Sequence, residues 1–442
     1  MSNIQAATLD YAAPDDIGPR TLNKVTWRLI PFMFLLYICG YLDRVNLSFG
    51  GSAMQRDLHL DEGIYGLGAG IFFIGYFLFE VPSNLILERV GARRWIARIM
   101  VTWGFVASSL MFVRGAWSFY FLRFSLGVAE AGFFPGMVLY LTYWFPARQR
   151  ARAVAAFMTS IAIAGVIGGP ISGALLKLNG VHGLAGWQWL FLMEGLPSIP
   201  MGILVYFYLT DKPEQAKWLA PAEREWLIEH LRAEKHVTAH HDPHTMTAAL
   251  KDPRVWKLSL LYFMLMIGLY SFSFWAPKIL KSISGLSETR VAVLCAIPYS
   301  VAAISMVFIG QHSDRTGERR GHVGLSALTA AVGLAMLPLC HGTVQALLGL
   351  SVAGIGIWGA LGPFWVLPTD FLRGTAAAAG IAVINSLGCL GGFVGPSMFG
   401  YVLKYTGGNA GGLLTVAAAM LAGMGIVLSL PKPNAQEGRS HI

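Results

Sequence analysis

A chain of 442 residues that is 55% hydrophobic and only 13% charged, with a mean hydropathy of +0.55, is too apolar for a soluble globular protein, in which about a quarter of the residues carry charge. Its net charge of +9 would suggest a nucleic-acid partner in a soluble chain, but here the basic residues sit in short loops between apolar runs. That pattern belongs to a polytopic membrane protein and excludes nucleic-acid binding.

The first 24 residues are polar, and no cleavable signal peptide is expected, because the first apolar run is long enough to span and lacks a small-residue cleavage site. Runs of about 20 apolar residues, enough to cross a bilayer, fall near 29–49, 65–86, 96–113, 118–143, 153–176 and 189–209. Six more lie near 255–276, 291–309, 323–339, 343–366, 375–403 and 412–430. Twelve transmembrane helices are predicted, an all-α fold. Arg89, Arg93, Arg94, Arg148, Arg150, Arg152, Arg315, Arg319, Arg320 and Arg373 fall in the even-to-odd connections, which places both termini on the cytoplasmic side.

The first span ends in Tyr41-Leu-Asp43-Arg44-Val-Asn46. An Asp or Arg at mid-bilayer costs about 2.5–3.5 kcal/mol, so such residues face the protein interior, pair with something and usually mark a transport path. On a helix Tyr37, Tyr41, Arg44 and Ser48 form one polar stripe, with Asp43 and Asn46 on its flank. The second span carries Glu80 near its predicted end, a weaker candidate, and is followed by Asn84-x-x-x-Glu88-Arg89-x-Gly91-x-Arg93-Arg94. In the fourth span Arg123 and Glu130 share a face about 10 Å apart along the axis, with the small Gly127 between them. Asp43 with Arg44 and Glu130 with Arg123 are expected to neutralise one another across the contact of the first and fourth helices.

Gly165, Gly168, Gly169, Pro170 and Gly173 give the fifth span a small-residue face suited to close packing and hinge motion. Glu194 in the sixth is, like Glu80, a weaker candidate near a span end. The connection Asp211–Arg254 is the one clear shift of composition; Pro221 starts a short amphipathic helix there. Its His236, His240, His241 and His244 read as part of a solvated linker and not as a metal site. The chain therefore divides into residues 1–210, a cytoplasmic linker 211–254, and residues 255–442.

The second half repeats the first. Gly310-x-x-x-Asp314-Arg315-x-Gly317-x-Arg319-Arg320 matches the earlier loop, and Gly395-Pro396 matches Gly169-Pro170, both at an offset of 226 residues. Two features at one offset point to a duplicated six-helix unit, the architecture of transporters that rock two halves about a midplane site. No charged residue lies comparably deep in the second half, whose polar contribution is Tyr270, Ser271, Trp365 and Asn385. Gly354-x-Gly356-x-x-Gly359 matches a dinucleotide fingerprint literally, but it lies inside a span with no strand before it and reads as packing glycine. Cys39, Cys295, Cys340 and Cys389 lack metal or redox spacing and read as small apolar residues. No metal or cofactor is expected.

On these residues the sequence resembles the major facilitator superfamily, and within it the anion:cation symporter family. The stretches that carry the resemblance are Tyr41–Asn46, Gly75-Tyr76-Phe-Leu-Phe-Glu80-Val-Pro-Ser-Asn84, Arg123 with Glu130-Ala-Gly-Phe-Phe-Pro135, and Tyr143-Trp-Phe-Pro-Ala-Arg148. With Gly186-Trp-Gln-Trp-Leu-Phe-Leu-Met-Glu194, the wording is most similar to bacterial tartrate-type transporters. The resemblance implies proton-driven uptake of a small carboxylate, with Asp43 and Glu130 as proton carriers and Arg44 and Arg123 as their charge partners. It also implies that Tyr41, Arg44 and Tyr76 face substrate from the first half, and Trp365 and Asn385 from the second. The expected partners are the small carboxylate, protons and the lipid bilayer, with the chain a monomer. Gly362-Pro-Phe-Trp365 stands where sugar-acid carriers of the family tend to have hydroxyl residues, so a tartrate-like dicarboxylate comes before an aromatic or sugar acid.

The physical reading agrees. A carboxylate substrate wants the planar fork of an arginine, and protonating the acid paired with that arginine frees it, so proton and anion binding favour each other. Three alternatives stay open. An exporter or exchanger of the same fold would use the acids for antiport, and a sensor would bind without translocating. A membrane enzyme would need a nucleophile and base or a metal, and no histidine lies well inside a span.

Overall fold

The computed structural model describes the backbone of residues 17–239, 251–371 and 374–431, without the side chains of 147–148, 151–152, 154–159, 161–162, 234–239 and 369–379. Among these residues the chain is helical throughout. The helices are α1 (Ile17–Leu58), α2 (Glu62–Val90), α3 (Ala92–Ser109), α4 (Ala116–Glu130), α5 (Phe133–Thr142), α6 (Ala147–Leu176), α7 (Gly186–Gly195) and α8 (Ser198–Tyr208), then α9 (Pro221–Ala239) in the linker. The second half holds α10 (Pro253–Ser284), α11 (Glu288–Leu294), α12 (Ala296–Thr316), α13 (Arg320–Met336), α14 (Thr343–Gly359), α15 (Leu361–Phe371), α16 (Gly374–Thr406) and α17 (Asn409–Leu428).

These helices form the twelve spans that the sequence predicts. Eleven are long and apolar enough to cross a membrane, and α6 supplies the other with its apolar stretch Ile163–Leu176. The helices outrun the predicted spans because a polar residue ends a hydropathy run without ending a helix. α1 continues to Leu58, where Leu60 N closes on the Gln55 carbonyl at 3.0 Å. α2 is then started by the Asp61 side chain, which accepts from Ile64 N at 2.8 Å.

One span is broken outright, between α4 and α5, and at α7–α8, α11–α12 and α14–α15 the helical hydrogen bonding is interrupted while the backbone at Leu196, Cys295 and Ala360 stays in the right-handed helical region. At the first break Ala131 leaves the helical region and Gly132 takes φ +84°, so Glu130 is the last residue of α4. The α7–α8 interruption follows Glu194 directly, at Gly195-Leu-Pro197. Broken helices at membrane depth are tolerated where they line a site or lie buried in protein.

The repeat is visible in the coordinates. Glu62–Val90 and the interrupted pair Glu288–Thr316 begin and end at the same 226-residue offset that separates Arg44 from Tyr270. Between the halves, α2 packs on α16, α1 on α10, and α6 on α11 and α12. The glycine face of α6 does what its composition suggested: Gly169 lies against the Ala292 carbonyl and Gly173 against that of Thr289. Gly356 lies against Ser326 O and Ala330 N of α13, which is close helix packing and leaves no room for a nucleotide. In the linker, Lys24 pairs with Glu223 at 2.8 Å, ties α9 to α1 and holds the Glu223 carboxyl below its ordinary range. His240, His241 and His244, and the side chain of His236, lie outside the described residues.

Gly127 shows how closely the spans approach. A Cβ there would run into the Phe72 carbonyl of α2, so Gly127→Leu is expected to lose about 1–3 kcal/mol or more to overpacking. The check is the midpoint of thermal unfolding in detergent, followed by tryptophan fluorescence. A midpoint equal to the wild type would contradict the α2–α4 contact.

Candidate functional site

Successive residues on a helix point 100° apart, and on α1 that angle sends Asp43 and Arg44 to different neighbours. Arg44 faces the boundary between the halves. Its Nη2 forms a salt bridge with Glu130 Oε1 at the end of α4, and its Nη1 donates to Tyr270 Oη on α10 at 3.4 Å. The guanidinium lies over the rings of Phe72, 5.4 Å away, and Tyr76, 5.6 Å away. Arg44 and Tyr270 occupy equivalent positions of the repeat. Residues that touch their own repeat mates must lie near the axis relating the two halves, so this cluster sits on that axis.

Asp43 points into the first half. It is 1% exposed, and its Oδ2 accepts from Trp103 Nε1 of α3 at 2.9 Å and from Ser198 Oγ of α8 at 3.1 Å. Arg123, fully buried, donates from Nε to the Gly68 carbonyl at 3.1 Å and from Nη2 to the Ala69 carbonyl at 3.2 Å. It stacks over Phe72 and Phe274 at 5.1 and 5.7 Å.

The expected neutralisation across α1 and α4 is met by one pair and corrected for the other two residues. The carboxylate that meets an arginine across α1 and α4 is Glu130, and its partner is Arg44. Neither Asp43 with Arg44 nor Glu130 with Arg123 forms an ion pair among the described residues. Arg123 and Glu130 share a helix, but seven residues separate them along its axis by about 10 Å, and the α2 carbonyls are nearer.

The other candidates divide. Tyr76 lies under Arg44, and Tyr41 and Tyr37 are buried beside it on the α1 stripe. Tyr37 also packs on Phe133 with centroids 6.2 Å apart, whereas Ser48 turns back to its own helix and donates to the Val45 carbonyl at 2.6 Å. Asn385 donates from Nδ2 to Glu80 Oε1 at 3.0 Å, joining α16 to α2. Glu80 is thus 4% exposed and bonded between the halves, deeper than its place near a predicted span end suggested. Trp365 packs on Tyr262 and Phe364 at 4.8 and 5.3 Å, and Tyr262 in turn lies close enough to Tyr270, Tyr37 and Glu80 to act on them electrostatically. Trp365 therefore reaches the cluster only through Tyr262. The direct Arg44–Tyr270 contact was the piece missing from the sequence-based site list. The offset of 226 residues was the signal that could have found it.

One end of the boundary between the halves is held by charge. Lys278 pairs with Glu62 and donates to Gln55 Oε1 at 2.9 Å. Glu288 takes both Arg56 at 2.6 Å and Lys281 at 2.7 Å, and Lys404 meets Asp61 at 3.1 Å. All lie where α1 meets α2 and α10 meets α11, except Lys404, which reaches Asp61 from the end of α16. At the opposite end the ion pairs among the described residues stay within a half or reach only the linker, as Arg93–Asp211 and Arg319–Asp314 do.

The Major Facilitator Superfamily profile matches residues 33–396. A protein named "Putative tartrate transporter" from Agrobacterium vitis is 50% identical over 435 residues, covering 98% of this chain and 96% of its own. A quinolone resistance transporter from Acinetobacter baumannii is 40% identical over 412 residues, covering 92% and 94%. Among solved structures, the xylose transporter of E. coli in a partially occluded inward-open conformation superposes with a TM-score of 0.74 at 13% identity, covering 93% of this chain and 99% of that one.

Proposed function

The chain belongs to the major facilitator superfamily as a multi-pass membrane transporter and not an enzyme, and we propose that it imports a small organic anion, a tartrate-like dicarboxylate first, together with protons. The observation that carries this reading is the Arg44–Glu130 pair, set against Tyr270 where the two halves meet. The fork of Arg44 is the group a carboxylate wants, and Glu130 holds it while ionised. A proton on Glu130 releases Arg44, the substrate carboxylate takes its place, and each binding event promotes the other. Tyr76 and Tyr270 border the released fork, and from the second half Asn385 acts behind them through Glu80 and Trp365 through Tyr262. The tartrate assignment is supported by the Agrobacterium vitis relative, which is matched over nearly its whole length.

With both termini in the cytoplasm of a bacterial inner membrane, the end closed by Lys278–Glu62 and its neighbours is the outer one, and the arrangement faces inward. Reporter fusions at the linker and at the C-terminus are expected to read cytoplasmic. A periplasmic signal at either would invert the map.

The test of function is uptake of tartrate, phthalate, galactonate and a neutral sugar into proteoliposomes under an inward proton gradient, with and without a potassium-diffusion potential. A dicarboxylate moving with two protons is electroneutral, whereas a monocarboxylate moving with two responds to potential by about 2.3 kcal/mol per charge per 100 mV. Uptake of tartrate driven by the gradient and indifferent to potential supports the reading. Transport of the neutral sugar alone would reject it. The second reading, a drug exporter working by proton antiport, is favoured by the 40% identical quinolone resistance transporter; it requires substrate and protons to move in opposite directions.

A further inference from the structure

Behind α1, on the side away from Arg44, lies a second group of buried polar side chains. Asp43, Asn46, Ser172, Glu194 and Ser198 are each 4% exposed or less. They come from α1, α6, α7 and α8, with Trp103 of α3 closing the wall. Each carboxylate is held by one oxygen. Asp43 Oδ2 takes Trp103 Nε1 and Ser198 Oγ, and Glu194 Oε1 takes Ser172 Oγ at 2.7 Å. The second oxygens, Asp43 Oδ1 and Glu194 Oε2, have no hydrogen-bond partner.

Asn46 is fully buried, yet neither its Oδ1 nor its Nδ2 closes a hydrogen bond. It lies one turn beyond Asp43 on the same face of α1. Glu194 lies one helical turn before Ser198, the backbone staying in the right-handed helical region through Leu196 and Pro197, and Ser198 Oγ donates to Asp43 Oδ2, so the two acids meet at the same hydroxyl. An unpartnered buried amide and two half-satisfied carboxylates, with no cationic side chain paired to either acid among the described residues, leave negative charge and acceptor oxygens without a counterpart. Burying such groups unpaired is costly.

We propose that Asp43 and Glu194 form a second coupling site, in which the two carboxylates share one proton and Asn46 bridges them. The unpartnered oxygens are the proton's two ends, and two carboxylates in one dry chamber cannot both stay ionised. The bonds from Trp103 and Ser198 fix Asp43 in place, as the Ser172 bond fixes Glu194. The nearest other charged groups are Arg44 and Glu130, paired with each other on the opposite face of α1, and the other titratable group on this side is the Cys39 thiol, one turn before Asp43. α3, α6 and α8 contribute only neutral groups, Trp103, Ser172 and Ser198, among the described contacts. Glu194 is thereby a coupling residue in addition to Asp43 and Glu130. The pair lies between α1 and α7, so relative movement of these two helices would open or close it.

The inference rests on the proton-coupled reading, and its test separates the two. Infrared difference spectra of the purified full chain are recorded from mildly acidic to mildly alkaline pH, with and without sodium chloride. The wild type is expected to show a protonated-carboxyl band that titrates within this range and ignores sodium. In Glu194→Gln and in Asp43→Asn the neighbouring charge is gone, so the remaining acid's titration should move down by about one pH unit or more. Ser172→Ala, a milder change that leaves both acids in place, should displace the band without removing it. A band unmoved in both acid variants would overturn the pair. A band that sodium shifts would replace the proton by a metal cation and overturn the proposal too. These spectra need no transported substrate, so the pair stands or falls on them even if tartrate proves not to be carried. Given gradient-driven tartrate uptake by the wild type, Glu194→Gln is expected to lose accumulation while keeping exchange, and full accumulation would remove Glu194 from coupling.

Discussion

Glu130→Gln should reduce gradient-driven tartrate accumulation to simple equilibration, an inside-to-outside ratio of about 1, while exchange of internal for external tartrate continues. The amide has the shape of the protonated acid and cannot ionise. Arg44, whose salt bridge in the described structure is to Glu130, is then permanently available to substrate, but no proton needs to arrive before it binds or leave before it departs. Binding survives and coupling does not. The same change has a signature in stability. Removing one partner of a buried ion pair costs about 3–5 kcal/mol because the other charge is left behind, so the empty variant should unfold at lower temperature than the wild type. Tartrate should restore more of that loss than it adds to the wild type, since its carboxylate replaces the missing one. Accumulation at the wild-type level would place coupling elsewhere in the chain.

Arg44→Lys should weaken tartrate binding roughly ten- to a hundredfold, the loss of about one charge-assisted hydrogen bond. An ammonium can still neutralise Glu130, so the fold is expected to persist, but it cannot present two parallel donors to a carboxylate or lie flat over Phe72 and Tyr76 as the guanidinium does. Arg44→Ala should fail at least as badly and should also lose stability through the unpaired Glu130. Isothermal titration at one pH separates the cases, and wild-type affinity in Arg44→Lys would move the substrate site away from Arg44. The contrast is Arg123→Lys. Arg123 binds two carbonyls of α2 that one ammonium cannot serve in the same way, so its substitution is expected to appear in thermal stability before it appears in affinity.

Much of this arrangement was legible in the sequence, and the reasons differ from part to part. The α1 stripe was readable because Tyr37, Tyr41 and Arg44 recur at helical spacing within an apolar run, where polar residues are rare enough to be informative. The duplication was readable because loop and glycine-proline motifs recur at one offset. The choice of partners was not. Neighbouring residues on a helix face different helices, and which helix each meets is decided by tertiary packing, so the sequence could not tell that Arg44 takes Glu130 while Asp43 takes Trp103 and Ser198. Trp103 was hidden for another reason: it counts as apolar in any hydropathy window, yet its Nε1 is the donor Asp43 needs. Glu80 and Glu194 were undervalued because hydropathy places span ends at the nearest polar residues. The helices continue past those ends, and both acids are buried well inside their spans.

The measurement that tests the central claim most directly is the movement of protons when substrate is offered. Wild-type protein is reconstituted into liposomes holding a pH-sensitive dye, with no imposed gradient, and tartrate is added outside. The lumen should acidify as tartrate enters, Glu130→Gln vesicles should stay unchanged, and a neutral sugar should do nothing. Alkalinisation of the lumen on tartrate addition, or tartrate entry with no change of pH, would contradict proton symport.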